Sequence, residues 1–350
     1  MDVRNSQAWR GWIGAAALSL LLTSCFVNPV PTPASGGTTT TDSLPGSQDT
    51  ADTMANKDAA AADTADGAAP SVALATFSAT ATDAAIADGV HAFAVAADAL
   101  TTGKLVVLLP DAALLPTQYL SLAAAIAQQG HRVLVLATPV AAQAACGGDG
   151  TCLELARQEL LDGQDRTPKV TVTTPDCLQN RLVKALTWLD KHRPGENWGK
   201  FYAGSTPLWS EIAIAGHGEG ASQAAMVAMH QTVWRAVLLG GPTDAAGAQP
   251  ASWFGGTPQT PVTAWRTLAH TKDPAWAIIV AAWTSLGLGS SAAAFSLDGA
   301  QQPGISAQML TTAANVPDPH AAIAVDGALP ADATAAQHVR AGWKLLFLPY

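Results

Sequence analysis

Apolar residues along this chain fall into short unbroken runs, separated by stretches with helical spacing. Lys104-Leu-Val-Val-Leu-Leu109 runs into Pro110-Asp111, and Arg132-Val-Leu-Val-Leu-Ala137 runs into Thr138-Pro139. Runs that are apolar on both faces and closed by turn residues predict strands buried in a parallel sheet. Between them, Tyr119–Gln129 is rich in Ala and Leu and stops at Gly130, which predicts a helix. Helical patterns recur at Cys152–Leu161 and at Leu178–His192, where Leu182, Leu186 and Leu189 share a face. Glu211-Ile-Ala-Ile-Ala215 predicts a strand that runs straight into Gly216-His217-Gly218-Glu219-Gly220, and Ala221–His230 predicts the helix beyond. Ala236–Gly240, Pro261–Ala269 and Ile305–Thr311 supply three more strands. Alternation of this kind predicts an α/β domain from Ser71 to Tyr350, a mostly parallel sheet with helices on both faces.

The first seventy residues follow another pattern. Arg4 and Arg10 precede an apolar run from Trp12 to Leu22, which ends in Leu22-Thr23-Ser24-Cys25. A basic start, a short apolar stretch and small residues before a cut describe a secretory signal over residues 1–24. The ending resembles a bacterial lipobox, which implies cleavage before Cys25, lipidation of its thiol and a membrane partner through that anchor. An ordinary signal peptide with a chance cysteine is the rival. Phe26 offers no Asp retention signal, so in a Gram-negative cell the expected place is the periplasmic side of the outer membrane. Residues 25–70 are mainly Pro, Ser, Thr, Gly, Ala and Asp and cannot bury enough surface to offset ordering entropy. They read as a lipid anchor followed by a disordered linker.

Composition narrows the function classes. Of 350 residues only 13% are charged, against roughly 25% in an average domain, and the net charge is -9 with 18 Lys+Arg. No basic stripe exists, so nucleic acid is not an expected partner. Phosphate-loop, dinucleotide, H-E-x-x-H and EF-hand signatures are missing, and no cofactor is expected. Beyond Cys25 there are Cys146, Cys152 and Cys177, which in an oxidising compartment suggest a bridge. Cys146–Cys152 is the first choice and Cys152–Cys177 the second. No His lies at ligand spacing beside them, so no metal is expected there.

The segment Ala215-Gly-His-Gly-Glu-Gly-Ala221 resembles the nucleophile elbow of the α/β-hydrolase superfamily, in which G-x-S-x-G sets a serine on a strained turn between strand and helix. Gly216 and Gly220 stand where strand and helix approach closely, but Gly218 stands where the serine belongs. Shifting the register to Glu219 would put bulky His217 at a tight position, and Ser222 lies beyond the turn. The resemblance continues in chain order. It implies Asp273, after Thr263–Lys272, as the acid, with Asp244 as the fallback, and His320, in Pro317-Asp-Pro-His320, as the base. It also implies an oxyanion hole from the N–H of Glu219 and the loop Leu109–Pro116, where Asp111 would repel an oxyanion unless it turned outward.

Losing the serine of such a triad lowers turnover roughly a millionfold. The expectation is therefore an exported lipoprotein that has lost serine-dependent ester hydrolysis and acts by binding, with a small molecule, acyl chain or sugar as the candidate ligand. The alternative is an active esterase or lipase that uses His320 with an unconventional nucleophile or activated water. A third reading, an introduced substitution at position 218, fits poorly with the altered Asp111 loop. Trp253, Trp265, Trp276 and Trp283 could rim a ligand pocket, although filling the core is the plainer account.

Overall fold

The computed structural model describes residues 70–97, 103–299, 301 and 303–348. The signal sequence, Cys25 and the linker up to residue 69 lie outside the described residues. Nine strands form one mixed sheet: β1 (Val72–Ser78), β2 (Val90–Ala96), β3 (Leu105–Leu109), β4 (Arg132–Val135), β5 (Ile212–His217), β6 (Arg235–Leu239), β7 (Trp265–His270), β8 (Phe295–Ser296) and β9 (Met309–Thr312). Their spatial order is β1-β2-β4-β3-β5-β6-β7-β9-β8. The pairings β1–β2 and β2–β4 are antiparallel, and every other pairing in this sheet is parallel. The chain is thus of the α/β class, with an antiparallel edge on a parallel sheet.

Six longer helices cover the sheet: α1 (Leu120–Ala127), α2 (Gly150–Asp162), α3 (Leu178–His192), α4 (Glu219–His230), α5 (Trp276–Ser285) and α6 (Ala333–Phe347). The buried strands are apolar on both faces because both faces are covered. Leu105, Val107 and Leu109 of β3 point into a core shared with α2, α3 and α4. Val106 and Leu108 point the other way, into a core shared with α1 and α6. Trp253, Trp265 and Trp283 belong to the first core, and Trp253 also lines a cavity of about 560 Å³ with Met226, Met229 and Gly256. Trp276 is only partly buried and packs against that core.

The predicted strand at Pro261–Ala269 starts later, at Trp265, because Val262–Ala264 turns as a 3-10 segment. Likewise the run from Ile305 joins the sheet only from Met309. Strands β1 and β2, and helices α5 and α6, lie outside the predicted elements. A disulfide joins Cys146 to Cys152, with Cα atoms 5.5 Å apart, and leaves Cys177 free and buried. Asp149 between them caps α2, accepting from the N–H groups of Thr151 and Cys152. Among the described residues no helix is long and apolar enough to cross a membrane.

Candidate functional site

The parallel strands place their carboxyl ends along one edge, and the loops leaving β3, β5, β7 and β9 carry Asp111, Gly218, Asp273 and His320 to one place there. Between β5 and α4 the chain turns sharply at Gly218, whose φ of 55° and ψ of -118° suit glycine far better than other residues. Its flanking glycines are required by contact. A Cβ on Gly216 would strike the carbonyl of Gly220, and one on Gly220 would strike the carbonyls of Leu109 and Pro110.

A Cβ on Gly218 would meet something different: the side chain of Asp111, with Oδ1 and Cγ closer than real contacts allow and Oδ2 at 2.8 Å. The Asp111 carboxylate thus fills the space in front of the turn. Its Oδ1 accepts the N–H of Glu219 at 2.7 Å, and its Oδ2 faces His320 Nε2 at 3.4 Å. The opposite ring nitrogen of His320, Nδ1, donates to Asp273 Oδ2 at 2.6 Å. Asp273 is anchored in turn, since its Oδ1 accepts the N–H of Ala275. The imidazole therefore lies between two carboxylates.

The sequence left open whether the Asp111 carboxylate turns outward, and in the structure it faces inward, toward the turn and His320. Repulsion was expected on the premise that this loop faces an oxyanion. With His320 cationic, an inward carboxylate is attracted instead. Burial disfavours charge on His320, but the Asp111 and Asp273 carboxylates outweigh it and push the imidazole up to about 10. Burial would also raise Asp111, yet His320 and the Glu219 N–H hold it below the ordinary carboxylate range. A proton that His320 keeps through neutral pH leaves its ring unable to accept another, so general-base action is suppressed.

Both expected oxyanion donors are engaged. The N–H of Glu219 goes to Asp111, and the N–H of Asp111 goes to the Tyr119 hydroxyl at 3.0 Å. That hydroxyl is 3.0 Å from His217 Nδ1, and His217 Nε2 is 3.0 Å from the His320 carbonyl. Because a carbonyl can only accept, Nε2 carries the hydrogen and Nδ1 accepts from Tyr119; the tautomer is assigned from this network. Complete burial and the nearby His320 pull His217 down to about 4, so it stays neutral. The two histidine rings stack with centroids 4.5 Å apart.

Asp244, the fallback acid, is committed elsewhere. It receives Nε and Nη2 of Arg157 at 3.0 and 2.7 Å, and both side chains are buried. Arg157 also binds the Val140 carbonyl and Glu219 Oε2, which further accepts the N–H groups of Ala142 and Gln143. The Glu219 side chain thus leaves the site and ties the start of α4 to the loop after β4. Sequence reasoning missed Arg157; its only signal was a charged residue on the buried side of a helical pattern. Ser222 Oγ is likewise occupied, accepting the N–H groups of Thr243 and Asp244. Among the described residues no hydroxyl or thiol hydrogen-bonds the His320 ring.

Asp111, His217 and His320 each bring one ligand-type atom within 4.8 Å of the others. They do not form a good cage, because both His217 nitrogens are already hydrogen-bonded and His320 Nδ1 is engaged by Asp273. The sequence matches no family model and no curated protein.

Proposed function

We propose that this chain is an exported, lipid-anchored protein with an α/β-hydrolase-like domain that lacks serine-dependent ester hydrolysis and works by binding. The observation that carries the reading is the side chain found at the turn: Gly218 supplies none, and the Asp111 carboxylate occupies its space. Three further features support it. A strand–turn–helix with positive φ precedes an Asp and a His in the chain order of such hydrolases. His320 is paired to Asp273 in the manner of base and acid. The donors that would stabilise an oxyanion are already satisfied. The lipidation signal at Cys25 supports attachment to the cell envelope.

A second reading, hydrolysis by His320 with an unconventional nucleophile or activated water, draws on the same His320–Asp273 pair. It needs a neutral imidazole, which the two flanking carboxylates oppose. Ester turnover separates the two. The unaltered protein is expected to leave p-nitrophenyl esters intact and to escape fluorophosphonate labelling. Gly218→Ser alone is expected to stay inactive because Asp111 blocks the new side chain. Gly218→Ser combined with Asp111→Ala is expected to gain ester cleavage. Turnover by the unaltered protein that disappears with His320→Ala would overturn the proposal.

A further inference from the structure

Beside the Asp111–His320–Asp273 group a cavity of about 430 Å³ opens among the loops that precede β2 and follow β3 and β4. Asp111 lies in its wall, and the remaining wall is largely apolar, with Leu114, Leu115, Pro116, Pro139 and Val140. Its size falls within the range of small-molecule sites. The mouth also exposes apolar side chains. Val90 is 45% exposed and Leu115 63%, and these are two of the four large hydrophobic residues exposed among the described residues. Between Asp111 and Leu115, Ala113 is held at a φ of +66°, one of two non-glycine residues with positive φ among the described residues. Strain of that kind, held in place by surrounding structure, gathers at binding loops.

Charge decides what the cavity would take. Arg181 is the cationic residue in the wall, and its guanidinium is spent on the loops. It donates to the carbonyls of Asp176, Ala137 and Ala87 and pairs with the Asp176 carboxylate at 2.7 Å. Asp88 and Asp111 remain. Asp88 is exposed and accepts the N–H of Gly89. Asp111 shares His320 with Asp273, so two carboxylates face one imidazolium and one negative charge is left over. An anionic ligand such as a fatty acid would meet this excess charge unfavourably.

We propose that this cavity binds a small amphipathic amine, its alkyl body against Leu114, Leu115 and Val140 and its ammonium group directed at Asp111. This deepens the binding role proposed above and rests on it.

The test is calorimetric titration of the full chain with n-octylammonium, using n-octanol and octanoate as probes of equal chain length. Octylammonium is expected to bind with 1:1 stoichiometry and roughly 10-fold tighter than octanol, the worth of a charge-assisted hydrogen bond, while octanoate does not compete. Asp111→Asn is expected to erase the preference for the amine over the alcohol. Leu115→Ser, at an exposed position that the fold does not need, is expected to weaken both by roughly 3- to 10-fold through lost apolar contact. Thermal melting of each variant separates lost binding from lost fold. Octanoate binding as tightly as the amine, no binding by any of the three probes, or an unchanged preference in a folded Asp111→Asn protein would overturn the inference. Any of these, with ester hydrolysis still absent, removes the amine ligand and leaves the non-catalytic reading standing. Ester turnover by the unaltered protein removes that reading, and this inference with it.

Discussion

Adding one methyl group at the turn, Gly218→Ala, probes the claim that Asp111 fills the space of the missing side chain. Two costs arise from the geometry. A residue with a Cβ held at φ 55° and ψ -118° carries about 1–3 kcal/mol of backbone strain. The new Cβ also overlaps Asp111, which must swing aside and give up the Glu219 N–H at 2.7 Å, a charge-assisted bond worth about 1.5–3 kcal/mol. Reduced freedom of the unfolded chain returns about 0.4–1 kcal/mol. The net expectation is a loss of about 2–5 kcal/mol. With Asp111→Ala already in place the overlap is gone, and only the strain, about 1–3 kcal/mol less the same return, should remain. A double-mutant cycle should therefore report a coupling of about 1.5–3 kcal/mol between positions 111 and 218. Denaturant midpoints of the four proteins, compared at constant slope, measure it. If Gly218→Ala costs the same with and without the Asp111 carboxylate, the two do not share that space and the reasoning fails.

The remaining expectations concern the groups around this contact. Asp244→Ala leaves the buried Arg157 guanidinium with Glu219 as its remaining carboxylate partner and should cost at most about 3–5 kcal/mol in denaturant unfolding; a loss under about 1 kcal/mol would mean that the Asp244 pair is solvated. Peptide mapping without reduction should link Cys146 to Cys152, and Cys177 should be alkylated only after unfolding. Opening that short loop by reduction should remove about 2 kcal/mol. The raised His320 value sets a pH trend. The native state holds a proton that the unfolded chain loses near 6.5, so this contribution is complete below 6.5 and is lost as pH rises toward 10. Stability of the unaltered protein relative to His320→Gln should fall across that window, and a difference that is flat or grows with pH would contradict the assignment.

Much of the fold could be read from the chain because the buried strands are continuous apolar runs, and Leu105–Leu109, Ile212–His217 and Arg235–Leu239 fall where those runs do. Strand β1, Val-Ala-Leu-Ala-Thr-Phe-Ser, was not legible. It is a half-exposed edge strand whose small polar residues blend with the sequence before it. Helix α5 was missed for the opposite reason, since Trp276–Ser285 is so uniformly apolar that no amphipathic stripe stands out. At the site, the glycine spacing located the turn, and loop order pointed to His320 and Asp273. What a linear reading could not supply was the sign of the interaction at Asp111. That sign depends on the charge of His320, fixed by a second carboxylate 162 residues further along the chain. The fate of Asp244 and Glu219 was hidden similarly, because their shared partner Arg157 comes from a different helix.

Held between Asp111 and Asp273, His320 should be an imidazolium at the pH where a hydrolase would need it neutral. Histidine-selective ¹⁵N labelling with long-range ¹H–¹⁵N correlation reads its ring nitrogens directly. Both nitrogens of His320 are expected to be protonated at pH 8, with conversion near pH 10, while His217 stays neutral with its hydrogen on Nε2. A His320 ring that is neutral at pH 8 and titrates near 6.5 would contradict this expectation.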